Sequence, residues 1–160
     1  MPAHLDHPLI PYLLLKENAA KAIDFYQKVF NAKLGDCMKG PDGKILHAEL
    51  TIAESHIMLT ESCPPGFSSE GCPSVTMCLQ VPKVDDVVQK AVAEGAAIMT
   101  PVSDMFYGER AGVIKDPFGH IWHLSTFIRD LSPEELKKAA AKAFEEHQHG
   151  DGCCGGDHHH

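Results

Sequence analysis

The chain is short of basic residues and of long apolar runs, and each shortage excludes something. Lys and Arg number 14 against 22 Asp and Glu, for a formal net charge of −8 with histidines neutral. Phosphate neutralisation needs clustered Lys and Arg, so neither nucleic acid nor an anionic membrane is expected as the main partner. No apolar stretch approaches the roughly 20 residues that cross a bilayer. The opening MPAHLDHPLIPY has no basic region followed by an apolar stretch and does not read as a secretory signal. A cytoplasmic location is therefore expected, with the six cysteines mostly reduced. Cys63 and Cys72, which bracket CPPGFSSEGC, would be the pair to close under oxidation. There is no Gly-rich loop of the kind that holds a nucleotide-like cofactor. Nor is there a G-x-S-x-G context for a hydrolytic nucleophile.

What the sequence does contain is an order of elements that occurs twice. Tyr12 to Leu15 reads as a short strand, with Asn18 placed to cap the helix that follows. In AAKAIDFYQKVF the residues Ala22, Ile23, Tyr26, Val29 and Phe30 recur at helical spacing. Strand patterns follow at 34–39, 45–52 and 56–60, separated by turn material at PDG and AES. About 65 residues later the order returns. A strand at 75–81 precedes a helix capped by Asp85 or Asp86, with Gly95 at its left-handed end. Strands at 97–101, 112–115 and 121–127 complete the second unit, with DPFG as its last turn. The expected fold is α+β. A domain at 9–130, made of βαβββ modules at 9–62 and 74–130, is followed by a helix at 132–148. Ser132-Pro133-Glu134-Glu135 opens that helix as a capping box. The Gly-, Cys- and His-rich tail at 149–160 has nothing apolar to pack and is expected to be disordered.

Strand alternation assigns faces. Ala48, Leu50 and Ile52 pack inward, which leaves His47, Glu49 and Thr51 on the other face. Ile57 and Leu59 pack, turning His56, Met58 and Thr60 outward. Val75, Met77, Leu79 and Val81 leave Thr76, Cys78 and Gln80. Trp122 and Leu124 leave Ile121, His123 and Ser125. The outer faces together form a polar wall rich in histidine. A purely solvated face would carry more Lys, Glu and Thr, so a cleft wall is the better reading.

Several strings carry a family likeness. AAKAIDFYQKVFNAKLG, PDGKILHAELTI, DMFYGERAG and DPFGHIWHLST together resemble the vicinal-oxygen-chelate superfamily of glyoxalase I and the bleomycin-resistance proteins. They are most similar to its PhnB-like branch, and the resemblance covers roughly residues 9–136. It implies two modules whose sheets curve into one eight-stranded cleft, a small-molecule ligand and, in many members, a homodimer. Metal-dependent members place His, Gln or Glu at four strand positions. Here those positions fall on Pro11, Met58, Thr76 and His123, of which only His123 is a good ligand. The usual divalent ion (zinc, nickel, manganese or iron) is thus not expected, unless His123 joins His47, Glu49 or His56 in a displaced site.

In DMFYGERAG, residues Asp104, Phe106, Tyr107 and Arg110 could grip an anionic or aromatic ligand. An ordinary Arg–Asp surface pair beside core aromatics explains them equally well. His120 reads as structural, Trp122 as core, and Cys153-Cys154 as a weak soft-metal signal. Two functions follow. One is a binding protein holding a small polar or aromatic molecule through His47, Thr76 and the DMFYGERAG strip. The other is a metal-dependent lyase, isomerase or dioxygenase with His123 as ligand and Glu49 as general base.

Overall fold

The computed structural model describes residues 9–62 and 75–148. The Cys63–Cys72 loop and the Cys- and His-rich tail lie outside those residues. The chain folds as β1 (Tyr12–Leu14), α1 (Ala19–Phe30), β2 (Lys33–Lys39), β3 (Ile45–Ile52), β4 (Ser55–Thr60), β5 (Thr76–Gln80), α2 (Val84–Ala93), β6 (Ala97–Asp104), β7 (Glu109–Lys115), β8 (Ile121–Phe127) and α3 (Pro133–Gln148). These form two βαβββ modules, each built on a four-stranded sheet, ordered β1-β4-β3-β2 and β5-β8-β7-β6. In each sheet the first strand runs parallel to the last and the remaining pairs are antiparallel.

The duplication reaches the helix starts. Asn18 occupies the N-cap position of α1 in a left-handed conformation, but its side chain makes no capping bond. The N–H of Ala19 donates instead to Glu61 Oε1 at 2.8 Å, while Glu61 Oε2 takes the N–H of Ile45 at 2.7 Å. In the second module Lys83, not Asp85 or Asp86, precedes α2, and the N–H of Val84 donates to Thr126 Oγ1 at 2.8 Å. Asp85 and Asp86 lie in the first turn, where carboxylates favour the helix dipole. Each helix is thus capped from the end of its module's last strand, at positions related by the repeat.

Two strands run longer than their alternation suggests. Pro101 reads as a strand end, yet β6 continues through it to Asp104. An edge strand tolerates proline because one side of its backbone is unpaired, and β6 is the edge of its sheet. β7 correspondingly begins at Glu109 rather than Gly112.

One core serves both modules. α1 buries Ala19, Ala22, Ile23, Phe25, Tyr26, Val29 and Phe30, and its aromatics reach the second sheet. Phe30 lies 4.5 Å from Trp122 between ring centroids, Tyr26 5.4 Å from Trp122, and Phe25 6.0 Å from Phe118. At the centre is Asp116, 3% exposed. Its Oδ2 accepts from the Tyr26 hydroxyl at 2.5 Å and Trp122 Nε1 at 2.9 Å. Its Oδ1 accepts the N–H groups of Phe118 and His120, both at 2.9 Å. Four donors satisfy one buried carboxylate, which ties α1 of the first module to the last turn of the second. The apolar faces of both sheets therefore turn toward this shared core and their polar faces turn away from it.

Candidate functional site

On the polar face of the first sheet, β1 and β3 contribute to one hydrogen-bonded chain. The Tyr12 hydroxyl lies 3.0 Å from His47 Nδ1, and His47 Nε2 lies 3.2 Å from Glu49 Oε1. A carboxylate only accepts, so Nε2 carries the hydrogen, and in the neutral ring Nδ1 accepts from the phenol. Met58 is the Cα partner of both Tyr12 and Glu49, so its thioether sits in the row between them. The Tyr12 and His47 rings meet edge to face at 5.7 Å. Tyr12 is 47% exposed, while His47 and Glu49 are half-buried. One row away, Thr51 Oγ1 and His56 Nδ1 lie 3.2 Å apart.

The second sheet carries a sparser wall. His123 is half-buried and faces outward beside its Cα partners Cys78 and Val113. Its Nε2 lies 3.4 Å from the Tyr107 hydroxyl. Burial raises the Tyr107 phenol above its usual pKa, and Glu109 and Cys78 push it the same way. Tyr107 is delivered by a tight turn between β6 and β7. Gly108 has φ +88°, and a Cβ there would stand 2.3 Å from the carbonyl oxygen of Arg129. Only glycine fits that turn without strain. Phe106, 41% exposed, packs edge-on to Tyr107 at 5.2 Å.

Asp104 and Arg110 go elsewhere. Arg110 pairs in register with Thr126, whose hydroxyl caps α2, so it lies on the helix side of the sheet. There its Nε and Nη2 donate to Asp85 at 2.8 and 3.0 Å, and its Nη1 donates to Asp104 at 3.0 Å. These carboxylates raise the guanidinium pKa and Arg110 lowers that of Asp85. The DMFYGERAG strip thus divides, with Tyr107 on the polar wall and the Arg–Asp group bracing α2. Thr76 is exposed on the edge strand β5. It lines a cavity of about 440 Å³ at the seam between modules, with Pro11, His56, Ile57, Cys78 and Trp122 among its other walls. That volume lies within the usual range of small-molecule sites.

The four positions that the family resemblance matches to metal ligands carry few good donors here. Pro11 has no side-chain donor, the Met58 thioether is soft, and Thr76 is a weak ligand. Among the described residues, no three of His, Cys, Asp and Glu are grouped to hold an ion. Tyr12 is the residue sequence reasoning missed. It reads as part of an apolar run, although alternation from buried Leu13 and Leu15 places it on the polar face.

Comparison with known proteins gives this chain a family. The chain is 38% identical over 146 residues to the uncharacterised protein Rv0887c of Mycobacterium tuberculosis, spanning 87% of this chain and 85% of that one. Its fold is similar to that of a PhnB protein from Bacillus cereus described as a putative 3-demethylubiquinone-9 3-methyltransferase. That match has a TM-score of 0.64 at 20% identity and spans 75% of this chain and 99% of that one. It also resembles the fosfomycin resistance protein FosX of Listeria monocytogenes complexed with Mn(II) and sulfate, with a TM-score of 0.60 at 19% identity over 86% and 99% of the two chains. Residues 4–124 match the family model described as Glyoxalase/Bleomycin resistance protein/Dioxygenase superfamily, and the chain belongs to that superfamily.

Proposed function

We propose that this protein binds a small polar or aromatic molecule on its polar walls, as a cytoplasmic homodimer that works without the usual metal. The observation that carries this reading is the Tyr12–His47–Glu49 chain, a set of convergent polar groups half-buried on a sheet face turned away from the core. Tyr107 and His123 supply the matching groups on the second sheet. The same faces carry Met38, 61% exposed and opposite His47, and Phe127, 57% exposed and opposite Glu109. A ligand or a second copy seated on the walls would cover these apolar side chains. No helix among the described residues is long and apolar enough to cross a membrane.

The metal-dependent alternative is a lyase, isomerase or dioxygenase with His123 as ligand and Glu49 as base. One observation favours it: His123 Nε2 has a single described contact, and that contact is long at 3.4 Å. The poor donors at Pro11, Met58 and Thr76 weigh against it. Metal analysis separates the two, on protein with the Cys- and His-rich tail removed after Glu146. We expect no tightly bound divalent ion, and thermal stabilisation by members of a panel of small aromatic and polar compounds. About one ion per chain, lost in His123→Ala, would favour the alternative. No stabilisation by any compound would overturn the binding reading.

A further inference from the structure

The Tyr12–His47–Glu49 chain is directional. Glu49 holds the hydrogen on Nε2, so the Nδ1 lone pair is the only place on the ring for another proton, and the Tyr12 hydroxyl is what reaches it. A proton delivered at the Tyr12 oxygen passes to Nδ1 as the phenol hands on its own. The imidazolium so formed is stabilised by the carboxylate already bonded to it. The outer end of the chain is accessible, since Tyr12 is 47% exposed, and the Met58 thioether beside it offers a soft apolar surface. Two other titratable groups on this face are placed by their partners. His56 on β4 is engaged with Thr51, and Lys33 on β2 is the Cα partner of Thr51 rather than of His47.

We infer that this face takes a small phenol or enol and holds it as its anion, with the ligand's hydroxyl proton moved through Tyr12 to His47. This rests on the reading of the wall as a small-molecule site and adds the ligand's chemistry. The ligand O–H bond breaks, the Tyr12 hydroxyl forms a hydrogen bond to the new oxyanion, and the proton ends on Nδ1. Nothing is oxidised or reduced. A carboxylic acid is already ionised near neutral pH and has no use for a proton acceptor, whereas a weakly acidic hydroxyl does. The flat body of a phenol also suits the Met58 surface beside the Tyr12 ring.

The test uses the full chain and a chromogenic probe, 4-nitrophenol, whose anion absorbs visible light and whose neutral form does not. The buffer is set about one unit below the probe's own pKa, so that the free probe is mostly neutral. We expect bound probe to show the anion spectrum, and 4-nitrophenol to bind roughly tenfold tighter than its methyl ether, 4-nitroanisole. In His47→Gln and Tyr12→Phe the anion band and this preference should both vanish, with Glu49→Gln weakening them. Circular dichroism checks that each variant stays folded. A neutral spectrum for the bound probe would overturn the inference, as would an anion band that survives in His47→Gln. Equal binding of probe and methyl ether would overturn it too, while leaving the wall standing as a small-molecule site. Failure of both probes would overturn it, and the wider compound panel then decides the fate of the site separately.

Discussion

Two chains of hydrogen bonds in this molecule begin at a tyrosine and end at a carboxylate, and burial makes them different devices. Tyr26 gives its hydroxyl to Asp116, which also holds Trp122 and two backbone N–H groups, all within the core shared by the modules. Tyr12 gives its hydroxyl to His47, which holds Glu49, on a sheet face open to a ligand. In the first, every lone pair used is spent inside the protein and water cannot replace a lost partner. In the second, solvent is at hand and can replace a lost partner. The inner chain holds the modules together, whereas the outer one is, on our proposal, where a ligand meets the protein.

The comparison breaks most severely at Asp116. Asp116→Ala should cost roughly 3–5 kcal/mol, because it strands the Tyr26 hydroxyl, the Trp122 indole N–H and two backbone donors in the core. Chemical denaturation measures it, and loss of the folded state altogether is within the expected range. A cost below about 1 kcal/mol would mean that water reaches this site and that it resembles the outer chain after all.

The third tyrosine is placed by the backbone. Gly108→Ala forces a side chain into φ +88° and against the carbonyl of Arg129, so it should cost about 2 kcal/mol or more. It should also pull Tyr107 off His123, which a change in the His123 imidazole NMR signals would report. His47 signals should stay where they are, since its partners come from the other sheet.

Much of this arrangement was legible in the sequence. Strand alternation put His47, Glu49, Thr51, His56 and His123 on one kind of face, and helical spacing placed Tyr26 and Phe30 in the core. What alternation cannot supply is the partner. Glu61 caps α1 from 42 residues away and Tyr26 finds Asp116 from 90 away, pairings that exist only once the modules have packed. Tyr12 is hidden because the short strand Tyr12–Leu14, continued by Leu15, reads as uniformly apolar. The sequence leaves Arg110 and Asp104 open between a ligand grip with Tyr107 and an Arg–Asp surface pair, and the strand pleat gives the pair, on the opposite side of the sheet from Tyr107.

Removing the inner hydroxyl alone is gentler than removing its acceptor. Tyr26→Phe should cost about 1–2 kcal/mol, since Asp116 keeps its other donors. It should also change the alkaline limit of the fold. Burial, and then the charge of Asp116, raise the Tyr26 pKa well above its usual value. The folded state therefore keeps the phenol protonated at pH values where the unfolded chain ionises it. That contribution is complete below the ordinary tyrosine pKa of about 10 and is lost as pH rises from there toward the folded-state value. Tyr26→Phe should show a shallower fall of stability above about pH 10 than the parent chain, measured as the denaturation midpoint against pH.

Tyr12→Phe removes the same atom from the outer chain, and the expected effect on stability is the smallest. Tyr12 is 47% exposed, so water can satisfy His47 Nδ1 once the phenol is gone. The cost should be under about 1 kcal/mol, although the anion band of a bound phenol is lost. The same denaturation series that measures Tyr26→Phe measures this one, which makes the pair a direct comparison of one hydroxyl in two settings. If the two substitutions cost the same, the outer hydroxyl is chiefly a pin that holds the three-residue strand β1 onto its sheet. If Tyr12→Phe is nearly silent in stability but abolishes the anion, the exposed chain is kept for what it does to a ligand rather than for the fold.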